Sequence, residues 1–154
     1  MKPPLGFLCF LATSLALAAA DPGLGTWVLR SHSPDSGKSE NATLTVTAFR
    51  GVGRLLTYSI VLPRIGVSTL VIKTAMDGTE APVLVNGRAM GETMAIKRQD
   101  SHHATSVVKW GGTPIGTSTE TISDDEKTLT VITDMTTDSP TAPAGRETQV
   151  WAKQ

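Results

Sequence analysis

The stretch Thr43-Leu44-Thr45-Val46-Thr47-Ala48-Phe49 decides the fold, and Lys127-Thr128-Leu129-Thr130-Val131-Ile132-Thr133 repeats its message. Threonine alternates with apolar residues in both. Successive side chains of a strand point to opposite faces, so this pattern makes one wet face and one dry face. Threonine and valine are stiff at χ1 and suit a pleated surface better than a helix. Beyond residue 20 no stretch carries a 3.6-residue apolar period.

Working outward, the same reasoning predicts strands near residues 26–30, 43–49, 55–62, 67–74, 83–85, 92–98, 104–110, 115–122, 127–133 and 147–152. The connections carry turn chemistry. Asp77-Gly78, Asn86-Gly87 and Trp110-Gly111-Gly112 supply residues that tolerate positive φ, and Ser123-Asp124-Asp125-Glu126-Lys127 is a polar turn. Pro63 ends the third strand, because it cannot donate to a ladder. Residues 31–41 and 134–146 read as longer surface loops. Many short strands joined by tight turns predict an all-β chain: a single antiparallel meander closing as a barrel or a sandwich.

The N-terminus reads differently. Lys2 is a positive n-region, Leu5 to Leu17 a mostly apolar run, and Ala18-Ala19-Ala20 a small-residue cleavage site. Residues 1–20 are therefore expected to be a cleaved signal peptide, with the mature domain over 21–154 and a secreted or periplasmic destination. The run is too short to span a membrane, which takes about 20 apolar residues, and no membrane anchor is expected. Cys9, the one cysteine, lies within it. The exported domain must then be held by packing and strand pairing, with no disulfide.

Lys2 is the only charge removed, so the balance of 14 basic and 14 acidic residues shifts by one toward acid. Such a surface has no drive toward nucleic acid.

Gly25-Thr26-Trp27 opens the first strand just after the cleavage site. It resembles the way lipocalin-type barrels begin, and that resemblance implies a tryptophan plugging one end of the barrel. Ile96-Lys97-Arg98-Gln99-Asp100, Gly116-Thr117-Ser118, the segment from Ser123 to Thr130, and Val150-Trp151-Ala152-Lys153 resemble the strand–turn–strand pattern of small secreted bacterial proteins with lipocalin-like domains, mostly of unassigned function. In that group the turn before Lys-Thr-Leu-Thr usually holds Asp-Gly; here Glu126 stands in the glycine's place. The resemblance singles out the barrel over the sandwich, implies a lipocalin-like antiparallel meander barrel of about 8–10 strands, and carries over no catalytic residue.

In such a barrel function lives in the interior. Alternation nominates Trp27, Leu44, Val46, Leu56, Tyr58, Ile60, Leu70, Ile72, Met94, Ile96, Leu129 and Val131 as the ligand-binding candidates, with Ala48, Leu62, Val107, Ile115 and Val150 as further inward residues. Tyr58, the single tyrosine, is the polar handle of an otherwise apolar set.

The polar candidates are poorer. His102 and His103 are neighbours, which a strand points apart, and His32 falls in a loop, so no metal site is expected. Asp124-Asp125-Glu126 lacks the spaced oxygen ligands of a calcium loop. No serine sits in a nucleophile elbow, and the acidic residues fall mostly in turns, so no catalytic residue and no cofactor are nominated. Asn41-Ala42-Thr43 is a glycosylation sequon.

Three classes of function stay open. The chain is a monomeric carrier or sensor of a small hydrophobic molecule, an interaction module with a filled barrel, or an enzyme with an unrecognised site.

Overall fold

The computed structural model describes residues 20–33, 42–62 and 65–154. Its ten strands are β1 (Gly25–Ser33), β2 (Thr43–Phe49), β3 (Gly53–Leu62), β4 (Gly66–Thr74), β5 (Asp77–Val85), β6 (Arg88–Arg98), β7 (His103–Trp110), β8 (Thr113–Ile122), β9 (Thr128–Met135) and β10 (Gly145–Lys153). Each pairs antiparallel with the next along the chain, and β1 pairs with both β2 and β10. The result is a closed antiparallel meander barrel, lipocalin-like in its fold, with ten strands where the lipocalin barrel has eight. Among the described residues there is no helix. Residues 1–19 of the predicted signal peptide, residues 34–41 of the predicted loop with the sequon residue Asn41, and Pro63 lie outside the described residues.

Threonine alternation produces this wall as expected. Leu44 and Val46 are buried, while Thr45 and Thr47 are open to solvent to a greater degree. Three local expectations are corrected. Asp77-Gly78 is not a turn; it opens β5, where a register shift between Asp77 and Glu80 absorbs Gly78 at φ 93°. Residues 31–33 are not loop but continue β1. Val107 and Val150 face outward, because β7 turns Ala104, Ser106 and Val108 inward and β10 turns Glu147, Gln149 and Trp151 inward.

The turns follow their chemistry. Asn86 and Gly87 take φ 49° and 78°, the left-handed pair that a two-residue hairpin of this twist requires. Glu126 takes φ 58°, so the turn keeps the conformation that a glycine would adopt more cheaply.

One end of the barrel is shut. Trp27 is fully buried there, and its indole Nε1 donates to Gly23 O at 3.1 Å. Lys153 Nζ lies 5.1 Å from the centre of the Trp27 ring and donates to Pro22 O at 2.8 Å. Asp21 accepts from Arg54 Nε at 3.1 Å, from Arg54 Nη2 at 2.7 Å, and from Arg98 Nη2. Residues 21–24 thus cross the barrel floor and are tied to β3, β6 and β10. Above them Leu44, Val46, Leu56, Ile72, Ile96, Ile122, Leu129 and Trp151 form the main core.

Candidate functional site: an amphipathic cavity in the barrel

The core does not fill the barrel. Between the packed floor and the opposite mouth lies a cavity of about 120 Å³. Its two walls differ. On β3, β4 and β5 it is lined by Ile60, Leu70, Ile72 and Val83, with Met94 and Val108 continuing the apolar surface.

The wall built by β7 to β10 is polar. Register places Glu147 opposite Thr133, Thr133 opposite Ser118, and Ser118 opposite Ser106, all pointing inward. A polar stripe therefore crosses four adjacent strands at one level. The next level carries Gln149, Val131 and Glu120. Ser118 Oγ and Thr133 Oγ1 are 3.0 Å apart and share a hydrogen bond. Ser106 Oγ is buried without a partner among the described residues.

His32 extends the stripe onto β1. Its Nε2 lies 2.9 Å from Glu147 Oε1, with both side chains nearly buried. Counting alternate residues from Trp27 would send His32 outward. Arg30 is an extra, unpaired residue between the pairs Leu29–Trp151 and Ser31–Val150, and this bulge reverses the phase. The loop expectation for His32 is thereby corrected. From Glu147 the contacts run on: Gln149 Nε2 donates to Glu147 Oε1, Trp151 Nε1 donates to Gln149 Oε1 at 3.2 Å, and Tyr58 meets Trp151 edge-on at 6.0 Å.

Two further carboxylates complete the lining. Glu92, on β6 near the mouth, is only 4% exposed. Its Oε1 accepts from Thr141 Oγ1 at 2.6 Å, and its Oε2 has no partner among the described residues. Thr141 and Ala142 belong to the β9–β10 loop, which folds over the cavity edge through Ser139, whose Oγ accepts from the N–H groups of Thr141 and Ala142 at 3.2 and 3.0 Å. Glu120 is enclosed by protein but faces the cavity space; burial pushes its carboxyl up, and Arg54 pulls it the other way. Burial and the neighbouring Glu120 likewise push the Tyr58 phenol up. The expectation that the acidic residues sit mostly in turns fails for Glu92, Glu120 and Glu147.

Of the candidates read from sequence, Tyr58, Ile60, Leu70, Ile72, Met94 and Val131 line the cavity. Trp27, Leu44, Val46, Leu56, Ile96 and Leu129 point inward too, but they are packed into the core toward the floor. The candidate residues missed by sequence reasoning are the polar ones. Their signal was phase: Glu92 lies in step with Met94 and Ile96, Glu120 with Ile122, and Glu147 with Trp151.

The histidine pair behaves as a turn. Asp100 Oδ1 accepts from the backbone N–H of His102 and His103 at 2.7 and 2.8 Å, and its Oδ2 meets His103 Nδ1 at 2.9 Å. Among the described residues no three His, Cys, Asp or Glu side chains are grouped to hold a metal ion.

Comparison with solved structures agrees with this geometry. The chain is similar in fold to the fluorescent protein UnaG. A UnaG mutant with one asparagine changed to alanine superposes with a TM-score of 0.59 at 15% identity, covering 86% of this chain and 96% of that one. A second mutant, with glutamine in place of that asparagine, gives 0.57 at 16%, with the same coverage. At such identity the likeness establishes the barrel and says nothing of what either interior holds. No family model and no curated protein matches the chain.

Proposed function

We propose that this chain is exported and that its barrel carries or senses one small, mostly apolar molecule. The observation that supports it is the cavity itself: about 120 Å³ left open inside a closed sheet. Cavities lined by apolar side chains stay dry and accept apolar guests; one of roughly 150 Å³ takes benzene. Most drug-sized pockets are larger, about 300–1,000 Å³, so the guest is a small one.

Export rests on the tripartite segment at residues 1–20 and on where the barrel floor begins. The contacts that shut the floor are made by Asp21, Pro22, Gly23 and Leu24, so cleavage after Ala20 leaves them intact. The exported domain then contains no cysteine.

Two measurements test this. Toluene titrated into the folded protein should shift the Trp151 indole N–H resonance, since Trp151 lines the cavity; an unchanged resonance at saturating toluene overturns the carrier reading and favours a filled interaction module. N-terminal sequencing of the protein recovered outside the producing cell should begin at Asp21, and a retained Met1 overturns export.

A further inference from the structure

The cavity wall restricts the chemistry of the guest further than its size does. Among the described residues neither lysine nor arginine lines the cavity, whereas Glu92, Glu120 and Glu147 do. Arg54, whose charge acts on Glu120, is tied to Asp21 on the barrel floor at 2.7 Å. A guest bearing a carboxylate or phosphate would meet carboxylates, with no cation among the described lining residues to receive it, and like charges at close range in a low-dielectric interior repel strongly.

The three carboxylates are not equally engaged. Glu147 already meets His32 and Gln149. Glu92 is more than nine-tenths buried, and its Oε2 accepts nothing from the described residues. A buried carboxylate oxygen with no donor is costly, and native proteins rarely leave one so unless something else supplies the proton or charge. Glu120 faces the space from β8, level with Ala104 and Arg98 and so nearer the floor, where the Arg54 charge already acts on it. The opposite wall of Ile60, Leu70, Ile72 and Val83 is apolar, with the Tyr58 phenol at its side. Glu92 Oε2 is thus the buried carboxylate oxygen of the lining that lacks a donor among the described residues.

We infer, resting on the carrier reading above, that the guest is a small amine: an apolar body against β3–β5 and a basic, N–H-donating head at Glu92. The head supplies the donor that Glu92 Oε2 lacks. Charge-assisted hydrogen bonds of this kind are about twice as strong as neutral ones, and they are stronger still in a site sheltered from water.

The test compares three molecules of like shape: benzylamine, toluene and benzoate, each titrated at neutral pH and followed at the Trp151 indole N–H. Benzylamine should bind roughly tenfold more tightly than toluene or better, because one charge-assisted hydrogen bond is worth about a factor of ten. Benzoate should not bind. Glu92→Gln should bring the ratio of benzylamine to toluene affinity toward one. Equal binding of benzylamine and toluene to the unmodified protein overturns the amine inference and leaves the apolar carrier standing. So does any preference for benzoate, or an advantage that survives Glu92→Gln. Failure of all three molecules to bind overturns the carrier reading itself. The comparison on the unmodified protein decides the matter even where a variant fails to fold.

Discussion

At the scale of single residues, Asp21 has the largest reach. Burial pushes its carboxyl up, but hydrogen bonds from Arg54, the Gly23 N–H and Arg98 outweigh this and hold it at about 2, against an ordinary 3.8. A lowered carboxylate pKa contributes stability that is fully present above the unfolded value and is lost as the pH falls through the folded one. Solvent reaches part of this carboxylate and screens it, so Asp21→Asn should cost about 1–2 kcal/mol at pH 7 by linkage alone. The penalty should shrink between pH 3.8 and about 2, where the native carboxyl itself takes up its proton. Thermal unfolding of both proteins across that range checks this; a penalty that persists undiminished at pH 2 would show that Asp21 acts through packing. Glu126 is the converse case. It holds φ 58° in the β8–β9 turn, a conformation that costs a side-chain-bearing residue about 1 kcal/mol. Glu126→Gly should raise Tm by roughly 2–4 °C, the small gain left after glycine's greater unfolded-state entropy is set against the relief. A fall in Tm would mean that the side chain makes a contact worth more than the strain.

At the scale of elements, sequence patterning marks each strand within a few residues, apart from β5, because threonine on the outer face keeps the period legible through Thr43–Phe49 and residues 128–131. It failed where period and polarity part company. In β8 the run Thr117-Ser118-Thr119-Glu120-Thr121 is polar on both faces, so no residue announces which side is inside. Only the phase carried back from Ile122 shows that Ser118 and Glu120 point inward. In β10 the same holds for Glu147 and Gln149, read back from Trp151. β5 was cut short because Asp77-Gly78 has the composition of a hairpin turn, and only its pairing with β6 shows otherwise. His32 was out of reach for another reason: a bulge is a property of pairing, and Arg30 looks like any other strand residue until β10 is laid beside it. This gives a prediction about register. Deleting Arg30 removes the extra residue and keeps Leu29 and His32 facing inward, so the His32–Glu147 contact should survive. Inserting one alanine between Ser31 and His32 adds a residue without a matching partner, turns His32 outward, and should cost roughly 1–3 kcal/mol as a buried polar contact is lost. Imidazole ¹⁵N shifts of His32 report which of the two variants keeps the contact.

At the scale of the whole molecule, closure and hollowness pull against each other. A barrel abolishes exposed sheet edges, which suits a domain with no disulfide to hold it, and residues 21–154 offer none. Ladder pairing is short at two seams: β1 meets β2 only over Gly25–Val28, and β4 meets β5 only over Leu70–Ile72. The stability that these seams lack must come from the core toward the floor, since the upper interior is kept open. An open interior is a standing cost, because side chains around a void lose contacts that packed ones keep. Were the void a mere defect, filling it would be free of consequence. Val131 projects from β9 between Glu120 and Gln149 at the heart of the cavity. Val131→Phe should raise stability by about 1 kcal/mol through cavity filling. It should also abolish the toluene-induced shift at Trp151. Greater stability together with lost uptake is the pattern expected of a barrel kept hollow for a guest. If uptake persists in the filled variant, the molecule binds elsewhere, and the cavity is not the site.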